Sequence, residues 1–343
     1  MIPVLMAALR DLSVGTDIWV YGLPSYVNAM LSSSFDEFAP AGILSMESGW
    51  ALITYFSTKI FQNIHWNFFF YSLVSVGCFY IGAWRYRKAV SLWLMMLLYL
   101  LLHYNNTYNL MRQSMACSVI FMGIATLEAR HYWRYMLYII VALLFHSSAI
   151  LCVGYILIIH WLITSKKFVS HERILIYASI GFLMFGGPIM LFMSTRLPVP
   201  ARYAEYARSF AYAMMTHAGF YGVGYERLFL LIGEAILFIF YSARGKKLFA
   251  AKWKGGVGMF EYCRYIVFFM IFFRIGVSFF DRLLLYLEYV NILTLATIPR
   301  FIKEKNLKAA VLLAVIVAAM LVWWHMYVYK RQIGTWPYKS ILN

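Results

Sequence analysis

Long apolar runs broken by short polar stretches dominate this chain. Trp66–Trp84, Ile174–Thr195, Tyr262–Phe280 and Leu307–Tyr327 each approach the roughly 20 residues that a helix needs to cross a bilayer. Shorter runs stand between them: Ser91–His103, Leu110–Leu127, Glu226–Tyr241 and Leu283–Thr297. Trp133–Ile163 is different, being too short for two ordinary spans yet flanked by basic residues at both ends. At about 1.5 Å rise per residue, each half of it reaches partway or barely across. The reading is two short helices that turn at Phe145-His146-Ser147-Ser148. Gly42–Phe61, which carries Glu47 and Lys59, reads as an amphipathic helix lying in the interface. The predicted fold class is an all-α polytopic membrane protein, with 1–343 as a single integral membrane domain. It should hold about nine to eleven transmembrane or re-entrant helices.

Composition supports this. The 343 residues are 63% hydrophobic and 13% charged, with a mean hydropathy of +0.71. A soluble domain of this length would need far more polar surface. Cys78, Cys117, Cys152 and Cys263 all fall in hydrophobic segments without a C-x-x-C pair, and read as small packing residues. Met1–Leu9 lacks the basic start of a signal peptide and is too short to span, so the start is expected to lie inside a first helix. The net charge of +16 points to basic cytoplasmic loops rather than to nucleic acid.

Basic clusters then set the orientation. They are Arg85/Arg87/Lys88, Arg130/Arg134, Lys166/Lys167/Arg173, Arg244/Lys246/Lys247/Lys252/Lys254 and Arg300/Lys303/Lys305/Lys308. With these inside, Trp66–Trp84 and Leu110–Leu127 run inward and Ser91–His103 runs outward. Residues 1–63 become an outer N-terminal segment and 196–224, with Pro198 and Pro200, a large outer loop. His146 lies near the outer surface.

Polar groups therefore converge on the outer face: Arg10, Asp17, Glu47, Arg112, Gln113, His146, Arg196, Arg202, Arg208, Arg274, Asp281 and Arg282. Arginine outnumbers lysine on this side, and the reverse holds inside. A guanidinium is a rigid fork of donors matched to phosphate or carboxylate, so a lipid pyrophosphate is the natural anion. Ionisable residues in apolar segments are functional-site hypotheses by default. Structural alternatives remain: Arg112 could snorkel from a helix end, His146 could brace a turn, Glu47 could be solvated and Asp17 could cap a loop. No nucleotide-binding loop or HExxH helix occurs, and none of the five histidines in or near hydrophobic segments pairs with another at i+3 or i+4. Neither a metal nor another cofactor is expected.

The motifs resemble those of the EpsG family of polysaccharide polymerases, relatives of the Wzy-type O-antigen and capsule polymerases. Leu9-Arg10-Asp11-Leu12-Ser13-Val14-Gly15-Thr16-Asp17 with Tyr21 is similar to an outer-loop Arg…Gly-Thr-Asp…Tyr motif. Glu47-Ser48-Gly49-Trp50 resembles Glu-Pro-Gly-aromatic, with Ser48 in place of the proline. Arg112-Gln113-x-x-Ala116, then Ala142-Leu143-Leu144-Phe145-His146-Ser147-Ser148-Ala149, Arg282 with Tyr286, and Pro337-Tyr338 follow in order. The resemblance runs from Leu9 to Tyr338, although Lys166–Lys254 matches by hydropathy alone, and only Met1–Leu9 stands for the family's first transmembrane helix.

The resemblance implies a GT-C-like, metal-independent glycosyltransferase in the bacterial inner membrane, its site facing the periplasm. It would join undecaprenyl-pyrophosphate-linked repeat units, serving as donor and acceptor, into O-antigen, capsule or exopolysaccharide. Arg112, His146, Arg282, Glu47 and Asp17 would be catalytic. Arg10, Gln113, Arg274, Tyr286, Arg196, Arg202 and Arg208 would bind substrate. Partners would be the lipid bilayer, a chain-length regulator and a flippase, with no nucleic acid. The alternatives are a ligase or other modifying transferase on the same lipid-linked glycan, or a flippase or transporter of it.

Overall fold

The structure, a computed structural model, describes residues 1–40, 42, 47–150 and 279–342, with scattered positions between 157 and 270. The chain divides into two compact units, Met1–Val153 with Ile292–Asn343, and Gly154–Asn291. Among the described residues the architecture is all-helical, its one extended feature being a bridge between Arg10 and Ser340.

The first unit opens with α1 (Ile2–Ala8), a π-helical turn (Ile18–Gly22), α2 (Leu23–Leu31) and the one-turn α3 (Phe35–Phe38). Then come α4 (Ser48–Phe61), α5 (Ile64–Arg85), α6 (Leu92–Leu102), α7 (Met111–Glu128) and α8 (Tyr132–Leu143). Its distal part is the end of α9 (Phe279–Thr297) and α10 (Lys305–Trp323).

α5 starts where the Asn63 side chain accepts the His65 N–H at 2.9 Å, satisfying one orphan donor of the first turn. Its buried positions Phe68, Ser72, Ser75, Phe79 and Ala83 recur every three or four residues, one face of a helix. That face packs on α7. Gly82 lies against Phe121 and Met122, where a Cβ would come within 2.7 Å of the Phe121 ring, so the two backbones approach closely. The Phe79 ring stacks on both Tyr99 of α6, at 4.1 Å, and Phe121 of α7, at 4.4 Å. Polar side chains bind α4 to α5: Ser57 and Thr58 bond Asn67, and Thr54 meets the Tyr71 hydroxyl at 2.5 Å. Small residues and buried polar pairs are the means by which helices associate where the surroundings are apolar.

Contacts also give the relative directions. Arg85 at the end of α5 donates to the Met122 carbonyl and the Tyr138 hydroxyl, both at 2.7 Å. At the opposite end Arg10 lies against Phe68 of α5 and Met111 of α7. α5 and α7 are therefore parallel, while α6 and α8 run against them, the arrangement that the basic loops require.

Among the described residues two helices are long and apolar enough to cross a membrane, Ile64–Arg85 and Lys305–Tyr329. The second has a mean hydropathy of 2.3 yet is almost unburied, with Leu313, Met320, Leu321 and Trp324 about half exposed or more. Such a surface is costly in water and ordinary in lipid. α6 has 11 residues and covers about 16 Å, half the apolar thickness expected of a full crossing. α8 ends at Leu143, a turn carries 144–148, and helical backbone resumes at Ala149; nearly all of the second short helix expected here lies outside the described residues. α4 starts at Ser48; residues 43–46 of the expected interfacial helix lie outside the described residues.

The tail 332–341 lies along the N-terminal loop 9–15. Asp11 N–H donates to the Lys339 carbonyl, Ile341 N–H to Leu9, and Gly15 N–H to Ile333, each at 3.0 Å. Asn105 bonds Thr335 at 3.1 Å, and the Tyr338 hydroxyl donates to the Met6 carbonyl at 2.5 Å.

Candidate active site

Arg112 stands in the first turn of α7, and Glu47 immediately precedes α4. Arg112 Nη1 donates to Glu47 Oε2 at 2.5 Å, an ion pair with about a quarter of each side chain exposed. The other carboxylate oxygen, Oε1, faces the Ser147 N–H and hydroxyl, both at 3.4 Å. The guanidinium lies over the Tyr21 ring at 4.5 Å and beside Trp50 at 5.4 Å, within cation–π range.

Local backbone explains how Glu47 gets there. Its φ is 68°, a left-handed conformation uncommon outside glycine and asparagine. A proline at 48 would disfavour helical-type torsions in the residue before it, so Ser48 suits the observed turn. Glu47 N–H donates to the Leu143 carbonyl at 3.1 Å and Gly49 N–H to that of Leu144 at 2.8 Å, seating the start of α4 on the end of α8. A Cβ at Gly49 would approach Leu144 within 2.9 Å, so only glycine allows this seat.

His146 sits in the same turn as Ser147. Ser148 N–H lies 3.1 Å from His146 Nδ1, and the Ser148 hydroxyl 2.7 Å from it. A backbone N–H can only donate, so Nδ1 accepts and the neutral ring carries its proton on Nε2. In this geometry the imidazole is a donor through Nε2. Asn109 ties in the N-terminal loop: its Oδ1 accepts from the Thr16 hydroxyl and the Asp17 N–H, both at 2.7 Å. Arg112, Glu47 and Ser147 are thus in contact, with His146 next to Ser147 in the same turn and Asp17 attached through its backbone N–H.

Arg10 stands at the end of the bundle opposite Arg85 and is buried there. It is only 2% exposed, lying 4.1 Å over Phe68 and 5.0 Å from Tyr108, with Nη2 3.4 Å from Met111 Sδ. Its Nε has no hydrogen-bond partner among the described residues. Burial pushes the guanidinium below its ordinary pKa, to about 10. The fold therefore disfavours the charged form, and this cost to stability is present at neutral pH and fades as pH rises above about 10. Arg10→Met fills the same space without a charge. It is expected to raise the unfolding midpoint of the detergent-purified chain by about 2 °C or more. A lowered midpoint would show that the aromatic contacts outweigh desolvation.

Gln113 is buried at the start of α7. In the second unit Tyr286 is buried, and Arg196 and Arg208 are helical and exposed, as are Glu205 and Tyr212 in the same expected outer loop. The backbone of Arg282 belongs to α9, while its side chain, with Arg202 and Arg274, lies outside the described residues. Among the described residues no three His, Cys, Asp or Glu side chains come together. Ser147, Asn109 and the rings of Tyr21 and Trp50 were not singled out as site residues from sequence. All fall within or beside the quoted motifs, which was the available signal.

The family model for EpsG matches residues 1–340, essentially the whole chain. The chain belongs to the EpsG family. No curated protein and no solved structure matches it. EpsG is a Wzy-type polymerase family, and membership carries a role in membrane polysaccharide biosynthesis. The apolar, unburied α10 agrees with a membrane protein.

Proposed function

We propose that this EpsG-family chain polymerises undecaprenyl-pyrophosphate-linked oligosaccharide repeat units on the periplasmic face of the bacterial inner membrane. The observation that carries the reading is the Arg112–Glu47 pair, joined through Ser147 to the His146 turn. It gathers a fixed cation, a carboxylate and an imidazole donor at one end of the α5–α8 bundle.

In the proposed reaction an acceptor hydroxyl loses its proton to a carboxylate, Glu47 or Asp17, and attacks the anomeric carbon of the donor. The sugar–phosphate bond breaks and undecaprenyl pyrophosphate leaves. Arg112 meets the charge that builds on the leaving group, and His146 donates through Nε2. A donor held in place before the charge develops is worth most in a water-poor site. Arg282 is assigned to the same pyrophosphate. Arg10 and Gln113 position the Arg112 segment, while Arg274, Arg196, Arg202, Arg208 and Tyr286 serve the glycan or its lipid. The positive charge comes from arginine, consistent with a metal-independent, GT-C-like enzyme. A flippase supplies the lipid-linked unit and a chain-length regulator sets when it stops.

The test is deletion of the gene in its host, with surface polysaccharide displayed on a gel. Loss of the ladder with retention of the single repeat unit, restored by the intact gene, is the expected result. An unchanged ladder would overturn the reading.

A further inference from the structure

We infer that Glu47 occupies a ready-made anion pocket as an internal occupant, and that the donor's pyrophosphate displaces it. This deepens the proposed function and rests on it. Among the described residues, each group bonded to the carboxylate is a donor that a phosphate oxygen would use: Arg112 Nη1 at 2.5 Å from Oε2, and the Ser147 N–H and hydroxyl at 3.4 Å from Oε1. Guanidinium, amide and hydroxyl are the usual set for binding phosphate.

The two halves of the pair are held differently. Arg112 is fixed from its other side by Tyr21 and Trp50, so the cation remains if the carboxylate leaves. Glu47 is anchored through its backbone, by N–H to the Leu143 carbonyl, while its side chain is 23% exposed and reachable. A pyrophosphate brings more charge to the same donors than one carboxylate does, and so wins the exchange. The displaced Glu47 loses its cation and becomes the group that takes the proton from the acceptor hydroxyl. Donor binding thereby switches on the base, and the pair shields Arg112 from other anions until the donor arrives.

A brace and an internal occupant differ in sign. Binding of undecaprenyl pyrophosphate to the purified full chain is titrated by native mass spectrometry. Glu47→Gln keeps an acceptor for Arg112 and Ser147 but removes the competing charge. It is expected to bind about tenfold more tightly than wild type, with polymer formation lost. Arg112→Ala is expected to lose the binding, and Asp36→Asn, an exposed change elsewhere, to match wild type. Equal or weaker binding by Glu47→Gln would overturn the inference and leave the polymerase reading standing. A gain seen equally with undecaprenol, which lacks the pyrophosphate, would also overturn it. Failure of wild type to bind undecaprenyl pyrophosphate at all would overturn the polymerase reading itself.

Discussion

Arg112→Ala is expected to leave a single repeat unit on the surface where the intact chain gives a ladder, with normal amounts of protein in the membrane. The guanidinium has three neighbours that nothing else in the turn replaces: the Glu47 carboxylate, the Tyr21 ring and the Trp50 ring. It is partly exposed, so its removal opens no large cavity in the core. Losing one preorganised donor to a developing charge costs about 100-fold or more in rate. Arg112→Lys should recover little, because an ammonium restores the charge but not the planar fork. Polymer length on a gel, with membrane abundance measured alongside, checks both variants. A full ladder from Arg112→Ala would remove it from the site.

Gly15→Ala is expected to have the largest effect on stability. Gly15 has φ +103° and sits where a Cβ would lie 2.5 Å from the Tyr108 carbonyl oxygen. Backbone strain of this kind costs about 1–3 kcal/mol before any clash is counted. The loop must move away from Tyr108, and the movement pulls Thr16 and Asp17 from Asn109. Lower thermal stability and lost polymer should appear together. Gly77, inside α5 with nothing within 4 Å of an added Cβ, is the matching control, and Gly77→Ala should keep the polymer and leave stability equal or slightly higher. A Gly15→Ala chain as stable as the control would show that the loop does not need this close approach.

Much of this site was visible in the sequence because its background is so apolar. Arg112 and His146 stood out as polar intrusions, and the turn at 144–148 followed from a segment too short for two spans. The meeting of Arg112 with Glu47 was not visible. Sixty-five positions separate Glu47 from Arg112, and only the seating of α4 on the end of α8 joins them. Arg10 shows the opposite limit. The sequence placed it at the outer face without showing its burial, which comes from Phe68 and Tyr108, whose convergence is a tertiary event without a local signature. Ser48 stood in the sequence only as a residue in place of proline, and the left-handed Glu47 links that position to the direction of the carboxylate.

The pairing of 332–341 with 9–15 has a consequence during synthesis. Leu9 and Ser340 are 331 positions apart, yet the Ser340 hydroxyl donates to the Leu9 carbonyl. At about 5–20 residues per second, the loop bearing Arg10 and Gly15 waits tens of seconds for its partner to leave the ribosome. Helices α5 to α8 can associate in that interval, but the loop cannot close on its partner. The N-terminal loop therefore closes only after residues 332–341 have left the ribosome, and every shorter nascent chain carries it without its partner.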